Sequence, residues 1–242
     1  MSRTVSGARV LITAAATGLG RLYAERAVAE GARAVILWDG DAAALTETTA
    51  VLGRQATAAT TLSPYVVDVS DLGAIAQTAQ RVRIEVGNPD VIINNAGIVR
   101  SKFFWEHSNG DDTRNTMQVN ALAPMYITRE FLPTMLRGSG REARIVNFAS
   151  TLGAVSPLRR SVEAASRAAV LVWSDTLRRE LVQQGYAHVK VTTVGPNLVD
   201  ESRLKGFAGA LSPSAVVDRV WAAMLTGKSH LLPAFPAFSL RL

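Results

Sequence analysis

The chain has 242 residues, of which 48% are hydrophobic and 19% charged, as in a compact globular domain with a sizeable core. It contains no cysteine, which excludes disulfides, thiolate metal sites and a cysteine nucleophile, and its three histidines are too far apart to suggest a metal site. The net charge is +6, but the basic residues are scattered rather than clustered, so we expect no nucleic-acid partner.

Short apolar runs alternate with amphipathic segments along the chain. The runs are apolar throughout, as in strands that are buried on both faces of a sheet. Such alternation predicts an α/β fold over residues 1–242: a single Rossmann-type domain with a doubly wound parallel sheet and helices on both faces. The predicted strands lie at residues 8–13, 33–38, 65–69, 90–94, 144–148, 188–194 and about 230–232.

Helical patterns follow the predicted strands. Asp71 and Ser212 are expected to be helix N-caps, with Pro213 at the first helical position. A long helix is predicted over residues 111–136, and we expect kinks or ends at Pro124 and Pro133. The other predicted helices run from the loop at 13–20 to residue 31, through residue 52, from 72 to about 86, from 161 to about 184, and over 202–209 and 212–225.

A glycine-rich loop joins the first strand to the first helix. Gly18 and Gly20 allow the backbone to approach a pyrophosphate at the helix N-terminus, where amide groups favour an anion. Asp39 follows about 20 residues later and offers a carboxylate to a ribose hydroxyl. An acid at this position would repel the additional phosphate of NADP, so we expect NAD.

These features resemble the short-chain dehydrogenase/reductase (SDR) family over essentially the full length. The family loop TGxxxGxG reads TAAATGLG at residues 13–20, and NNAG is intact at 94–97. WD at 38–39 and FLPTM at 131–135 resemble the branch that acts on retinoids and hydroxysteroids. The resemblance implies a cofactor site formed by Thr13, Ala14, Thr17, Gly18, Leu19, Gly20, Asp39, Asp68, Val69, Asn95, Ala96, Gly97 and Pro196.

Ala14 stands where the family loop has its first glycine. Its methyl group is tolerable if the backbone dihedral φ is negative there, but it crowds the ribose side of the site. The replacement therefore either weakens cofactor binding or is harmless.

The resemblance also aligns the catalytic segment. The family has a serine at the end of the fifth strand and a YxxxK motif thirteen residues later. Ser150 matches the serine, and YxASKxA aligns without a gap with EAASRAA at 163–169, so Glu163 and Arg167 replace the tyrosine and the lysine. Asn120 matches the asparagine of the family's proton relay.

These replacements affect proton transfer. Hydride transfer to a carbonyl leaves an alkoxide, which the family's tyrosine protonates because the lysine lowers its pKa. Glu163 beside Arg167, one helical turn away, is expected to stay ionised and to have no proton to donate. Arg167 can bind ribose hydroxyls but cannot titrate. The alternative interpretation is an ordinary i,i+4 pair on the helix surface.

Two further departures lie around the same site. Glu201 replaces the threonine of the family's PGxxxT segment, which contacts the nicotinamide amide. Arg159 and Arg160 enter the loop over a substrate pocket that we would expect to be apolar in this branch. The pocket has therefore changed in polarity as well as in its catalytic residues.

Three functions are compatible with these residues. The first is a non-catalytic or partner-dependent subunit in which ordinary dehydrogenase activity is lost or strongly impaired. The second is an enzyme that uses Glu163 as a base for elimination, isomerisation or cyclisation. The third is a slow NAD-dependent oxidoreductase in which water or Ser150 relays the proton.

The resemblance implies partners as well. SDR proteins form dimers or tetramers through the two long helices, so we expect a homo-oligomer, or a hetero-oligomer with a catalytically active SDR paralogue. A small-molecule substrate is possible, but the sequence does not name it. No signal peptide is recognised and no apolar run reaches the ~18 residues that cross a bilayer, so a cytoplasmic protein without a membrane partner is expected.

Overall fold

The computed structural model describes residues 4–138, 142–149, 158–195 and 212–231. Seven parallel strands form one sheet in the order β3-β2-β1-β4-β5-β6-β7, which confirms the predicted α/β fold. The strands are β1 (Arg9–Thr13), β2 (Ala34–Asp39), β3 (Thr61–Val66), β4 (Val91–Asn94), β5 (Ala143–Phe148), β6 (Val189–Val194) and β7 (His230–Leu231).

Helices cover both faces of the sheet. Side chains of α1, α2 and α7 pack in one core cluster, and side chains of α3, α5 and α6 pack in the other. The described helices are α1 (Gly18–Ala29), α2 (Ala42–Gln55), α3 (Leu72–Glu85), α4 (Asn115–Met117), α5 (Ala123–Arg137), α6 (Ser161–Gln183) and α7 (Pro213–Leu225).

The strand β1 shows why the strands read as continuous apolar runs. Val10 and Ile12 belong to the core on the α1 side, whereas Leu11 belongs to the core on the α3 side. Successive side chains of a strand point to opposite faces, so a central strand needs an apolar residue at every position. The strand order reverses at β1, which lies between β2 and β4, and the carboxyl ends of β1 and β4 therefore flank the crevice in which such folds bind ligands.

The third strand begins earlier than predicted. It spans Thr61–Val66 rather than residues 65–69, and Asp68 and Val69 lie in the turn region after it. As an edge strand it has only one buried residue, Tyr65, so it lacks the apolar run that marks the central strands. An edge position also tolerates Pro64, which has no N–H to donate to a neighbouring strand.

The predicted long helix is interrupted rather than continuous. Two π-helical turns, Asn109–Arg114 and Gln118–Leu122, flank α4, and α5 follows directly. Pro124 lies in the first turn of α5, where proline is favoured, but Pro133 lies inside the helix without ending it. The helix ends before Gly138, whose φ is +70°.

Other boundaries follow the sequence closely. The side chains of Asp71 and Ser212 accept hydrogen bonds from backbone amides in the first turns of α3 and α7, which confirms both predicted N-caps. Within the described residues no helix is long and apolar enough to span a bilayer. The predicted helix at 202–209, together with Ser150, Pro196 and Glu201, lies outside the described residues.

Candidate active site

The glycine-rich loop leaves β1 and enters α1 in a tight turn. Gly18 has a φ of +54°, and a Cβ on Gly20 would overlap the carbonyl group of Ala14, so a side chain at residue 20 would force the loop apart. Thr17 at the N-cap makes no side-chain capping bond, and the first turn of α1 contains no acidic residue. This helix end can therefore accept an anionic group.

Ala14 does not meet the condition under which its methyl group is harmless. Its φ is +50°, in the left-handed region that glycine tolerates and that a Cβ disfavours. The replacement of the family's glycine thus introduces backbone strain at the turn. The carbonyl group of Ala14 lies directly against Gly20 of the same loop.

Neighbouring strands hold this loop in place. The Asp39 carboxylate at the end of β2 accepts a hydrogen bond from the Ala16 amide at 2.8 Å. After β4, the Asn95 side chain donates to the Thr13 carbonyl at 3.1 Å, and the Ala96 amide donates to the Thr13 hydroxyl at 2.9 Å. The structure therefore brings together most of the residues expected around a dinucleotide, whereas Asp68 lies exposed after β3.

Glu163 lies in the first turn of α6, which begins at Ser161. The residue is 6% exposed, and its Oε2 lies 3.8 Å from Nε of Arg160. The interpretation of a surface i,i+4 pair is therefore wrong, because the carboxylate is buried. A neighbouring guanidinium and a helix N-terminus favour the charged form of a carboxylate, whereas burial opposes it.

Arg167 spans the gap between the ends of β4 and β5. Its Nη1 donates to the carbonyl oxygen of Phe148 at 2.8 Å, and a Cβ on Gly97 would collide with its Nη2. Burial lowers the pKa of the Arg167 guanidinium below its ordinary value, and the charge of Glu163 opposes that shift. Among the described residues the buried Nε has no hydrogen-bond partner.

Asn120 lies in the second π-helical turn and is fully buried. Its side chain donates to the Ile98 carbonyl at 2.9 Å and to the Ser166 hydroxyl at 3.2 Å, and its oxygen accepts from the Ile98 amide at 2.8 Å. The side chain thus joins the segment after β4 to α6. Ser166, which the sequence analysis missed, in turn donates to the Glu163 carbonyl at 2.7 Å.

A second buried polar chain lies directly behind this site. Asn94 donates to the Asn147 side chain at 2.8 Å, and Asn147 donates to the Ser174 hydroxyl at 2.9 Å. These contacts connect the ends of β4 and β5 to α6. Asn147 and Ser174 were not predicted, although a polar residue inside an apolar strand is a usable signal.

The comparison with known proteins identifies the family. The family model described as short chain dehydrogenase matches residues 8–208. This chain belongs to the short-chain dehydrogenase family. The match covers the glycine loop, the NNAG segment and the part of α6 that carries Glu163 and Arg167.

Curated relatives of this SDR chain confirm the branch that the sequence indicated. The chain is 34% identical over 226 residues to ketoacyl reductase HetN from a Nostoc species, covering 90% of this chain and 75% of that protein. It is 31% identical to human estradiol 17-beta-dehydrogenase 11, covering 98% and 78% of the two proteins. It is also 31% identical to bovine retinol dehydrogenase 10, covering 93% and 74%.

Solved SDR structures show the same fold. A short chain dehydrogenase from Mycobacterium smegmatis superposes with a TM-score of 0.81 at 26% identity, covering 97% of this chain and 95% of that one. An SDR from Burkholderia phymatum, solved in complex with NAD, gives a TM-score of 0.80 at 26% identity, covering 96% and 90%.

Proposed function

We propose that this SDR protein binds a nicotinamide dinucleotide, NAD rather than NADP, and that ordinary alcohol/carbonyl oxidoreduction is lost or strongly impaired. It then acts as a non-catalytic subunit or as one that needs an active SDR partner. The observation that carries the proposal is the buried carboxylate of Glu163 beside Arg160 and Arg167, at the position where the family has its proton donor.

The residues around the crevice fit such a cofactor. The uncapped N-terminus of α1 fits the pyrophosphate, and Asp39 fits the adenosine ribose. Each Asp39 carboxylate oxygen accepts a hydrogen bond from one backbone amide. A carboxylate retains further lone pairs, which can accept hydrogen bonds from ribose hydroxyls. On the nicotinamide side, the Nε of Arg167, which has no partner within the described part of the chain, is a donor for a ribose hydroxyl. A bound nicotinamide supplies hydride chemistry, and a relative solved with NAD supports its presence here.

Proton transfer is the step that this site does not support. Reduction of a carbonyl by hydride produces an alkoxide, which needs one proton as it forms. The proposal takes Glu163 to be ionised beside the guanidinium groups of Arg160 and Arg167, so that it has no proton to donate, and Arg167 does not release one. The two side chains can bind and orient, but neither provides the acid that the reaction requires.

The decisive experiment compares the natural protein with the double variant Glu163→Tyr/Arg167→Lys. We expect the natural protein to bind NAD in a calorimetric titration without changing nicotinamide absorbance in the presence of aliphatic, retinoid or steroid alcohols. The double variant regains a proton donor and should show turnover with at least one of them. Glu163→Gln, of similar size and without a phenol, is the matched control and should stay inactive.

Two results would contradict the proposal. Turnover of NAD by the purified natural protein alone would show that its proton transfer is intact. Failure of NAD to bind, with the fold confirmed by circular dichroism, would remove the cofactor from the proposal and leave a structural subunit or a cofactor-free enzyme. In the partner-dependent case, activity should appear when the chain is mixed with an SDR paralogue that has the family's tyrosine and lysine but shows no turnover by itself.

The burial of Glu163 also favours a second candidate function. A carboxylate that is 6% exposed and held by neighbouring cations is a fixed base, able to remove a proton next to a carbonyl without any hydride transfer. Elimination, isomerisation or cyclisation would follow. In this case Glu163→Gln abolishes activity and omission of NAD does not, a combination that the first proposal does not allow.

A further inference from the structure

Three large apolar side chains project into solvent beside the candidate site. Phe104 is 64% exposed, Trp105 79% and Leu158 87%. Phe103 connects the two segments, because its ring stacks on Trp105 at 4.9 Å and lies 4.8 Å from the guanidinium of Arg159, which follows Leu158 in the chain. We call this surface the aromatic rim: Phe103, Phe104, Trp105, Leu158 and Arg159.

The aromatic rim is built from two segments that flank the site. The aromatic residues follow β4 in a short 3-10 turn, Phe104–Glu106, and the other two residues directly precede α6. Arg159 has a φ of +66°, so its segment is held in a strained conformation, with the cation over the Phe103 ring. The exposure of these side chains therefore belongs to an ordered arrangement rather than to isolated surface residues.

Positive charge lies beside these apolar groups. Among the described residues Arg159 forms no ion pair, and its cation–π contact leaves its charge in place. Arg100 and Lys102 share a single acid, Asp112, at 3.7 Å and 2.9 Å, so this group keeps a net positive charge. Glu106 carries a negative charge in the same segment, and its carboxylate accepts a hydrogen bond from the Phe103 amide.

We propose that the aromatic rim is an interfacial binding surface for an anionic phospholipid bilayer. Exposed tryptophan and phenylalanine rings fit the headgroup region, and adjacent cations are attracted to anionic lipid. A surface contact of this kind needs no spanning helix, so the sequence-based expectation of no membrane partner, which rested on the lack of a spanning segment, does not address it. The proposal goes beyond the proposed function and does not depend on cofactor binding or turnover.

Tryptophan fluorescence offers a direct test. Of the four tryptophans, Trp38 and Trp221 are 0% and 1% exposed, Trp173 is partly buried, and Trp105 is the exposed one. With vesicles of phosphatidylcholine and phosphatidylglycerol we expect the protein to co-sediment and its emission to shift to shorter wavelength. Lipid brominated near the headgroup should quench that emission, and Trp105→Phe should still bind while losing the quenched component.

Substitutions distinguish vesicle binding through the aromatic rim from nonspecific hydrophobic adsorption. Trp105→Ser and Leu158→Ser should each weaken vesicle binding about tenfold or more, because each removes an apolar side chain from the interface. Arg159→Ser should weaken it about fivefold, the expected contribution of one cation near an anionic surface. Ile84→Ser is the matched control, since Ile84 is 77% exposed on α3, and it should bind like the natural protein.

Several outcomes would overturn the proposal. One is the absence of sedimentation with anionic vesicles, and another is equal loss of binding in the Ile84 control. Equal binding to purely zwitterionic vesicles would contradict the role of charge. If light scattering instead shows self-association that Trp105→Ser abolishes, without vesicle binding, the aromatic rim is a contact between protein copies and not a membrane surface.

Discussion

Glu163 and Arg167 show how much of the candidate site could be predicted from the sequence. Alignment with YxxxK located both side chains, because α6 keeps its register through the motif. It did not reveal that Glu163 is buried or that Arg167 donates to Phe148, since both depend on chain segments distant in sequence. Ser166 was missed for the same reason, although its spacing of three from Glu163 on one helix was available as a signal.

Ala14 leads to the first prediction. Its φ of +50° means that a Cβ is held in the left-handed region, so Ala14→Gly should stabilise the folded protein by about 1 kcal/mol. Urea unfolding measures the change. Ala16→Gly, in the same loop but without a positive φ, is the control and should destabilise, because glycine there only increases the freedom of the unfolded chain. An unchanged stability in Ala14→Gly would mean that the strain is absent.

Asp112 leads to a prediction about pH. The hydrogen bond from Lys102, followed by the backbone amide of Ser108, lowers its pKa from 3.8 to about 2. A carboxyl group with a lowered folded-state pKa contributes stability above its unfolded value, and this contribution is lost as the pH falls from about 4 to about 2. Asp112→Asn should therefore show a flatter decline of the free energy of unfolding over that window.

The control for this pH dependence is adjacent in the chain. Asp111 is exposed, whereas Asp112 is 5% exposed and contacts Lys102 at 2.9 Å. Asp111→Asn should follow the natural protein across the same acid window. Parallel curves for the natural protein and Asp112→Asn would show that the carboxylate of Asp112 does not couple folding to pH.

The helices and strands that were predicted best are those with buried apolar residues or with a capping residue close in sequence. Six strands were located within one or two residues because most are dominated by apolar residues, and the N-caps were located because capping is chemistry within one turn. The strand Thr61–Val66 was displaced because an edge strand needs no apolar run. The π-helical turn Gln118–Leu122 was missed. It contains Asn120, whose contacts with Ile98 and Ser166 join distant parts of the chain that no local pattern encodes.

The N-cap of α3 gives a prediction at this scale. The Asp71 carboxylate accepts from the amides of Gly73 at 2.7 Å and Ala74 at 3.2 Å, and the first turn of α3 has no other acid. Asp71→Ala should lower the free energy of unfolding by about 1 kcal/mol. Asp71→Ser keeps a capping oxygen and should retain most of that stability in the same urea titration. Equal losses in the two variants would assign the effect to charge rather than to capping.

The whole molecule is expected to associate through its long helices, and α6 offers a way to test this. Val172 and Val182 are 65% and 62% exposed on that helix, so both are available for contact with a second subunit. If α6 lies in a subunit interface, Val172→Glu should convert an oligomer to a monomer in light scattering. Ile84→Glu, equally exposed on α3, should leave the molar mass unchanged. A monomeric natural protein would contradict the expectation directly.

The position of β1 in the sheet also determines the order in which the molecule can form. The Arg9 amide at the start of β1 bonds to Asp90, 81 positions later, and β4 must arrive before β1 acquires its second neighbour. The chain loses conformational entropy when it closes so long a loop, before the contacts between the two strands can stabilise it. Refolding is therefore expected to be slow. Until then the growing chain carries an unpaired apolar strand edge, which is a template for aggregation. The crevice between β1 and β4 does not exist at that stage, so a bound nucleotide cannot protect the newly made chain against this aggregation.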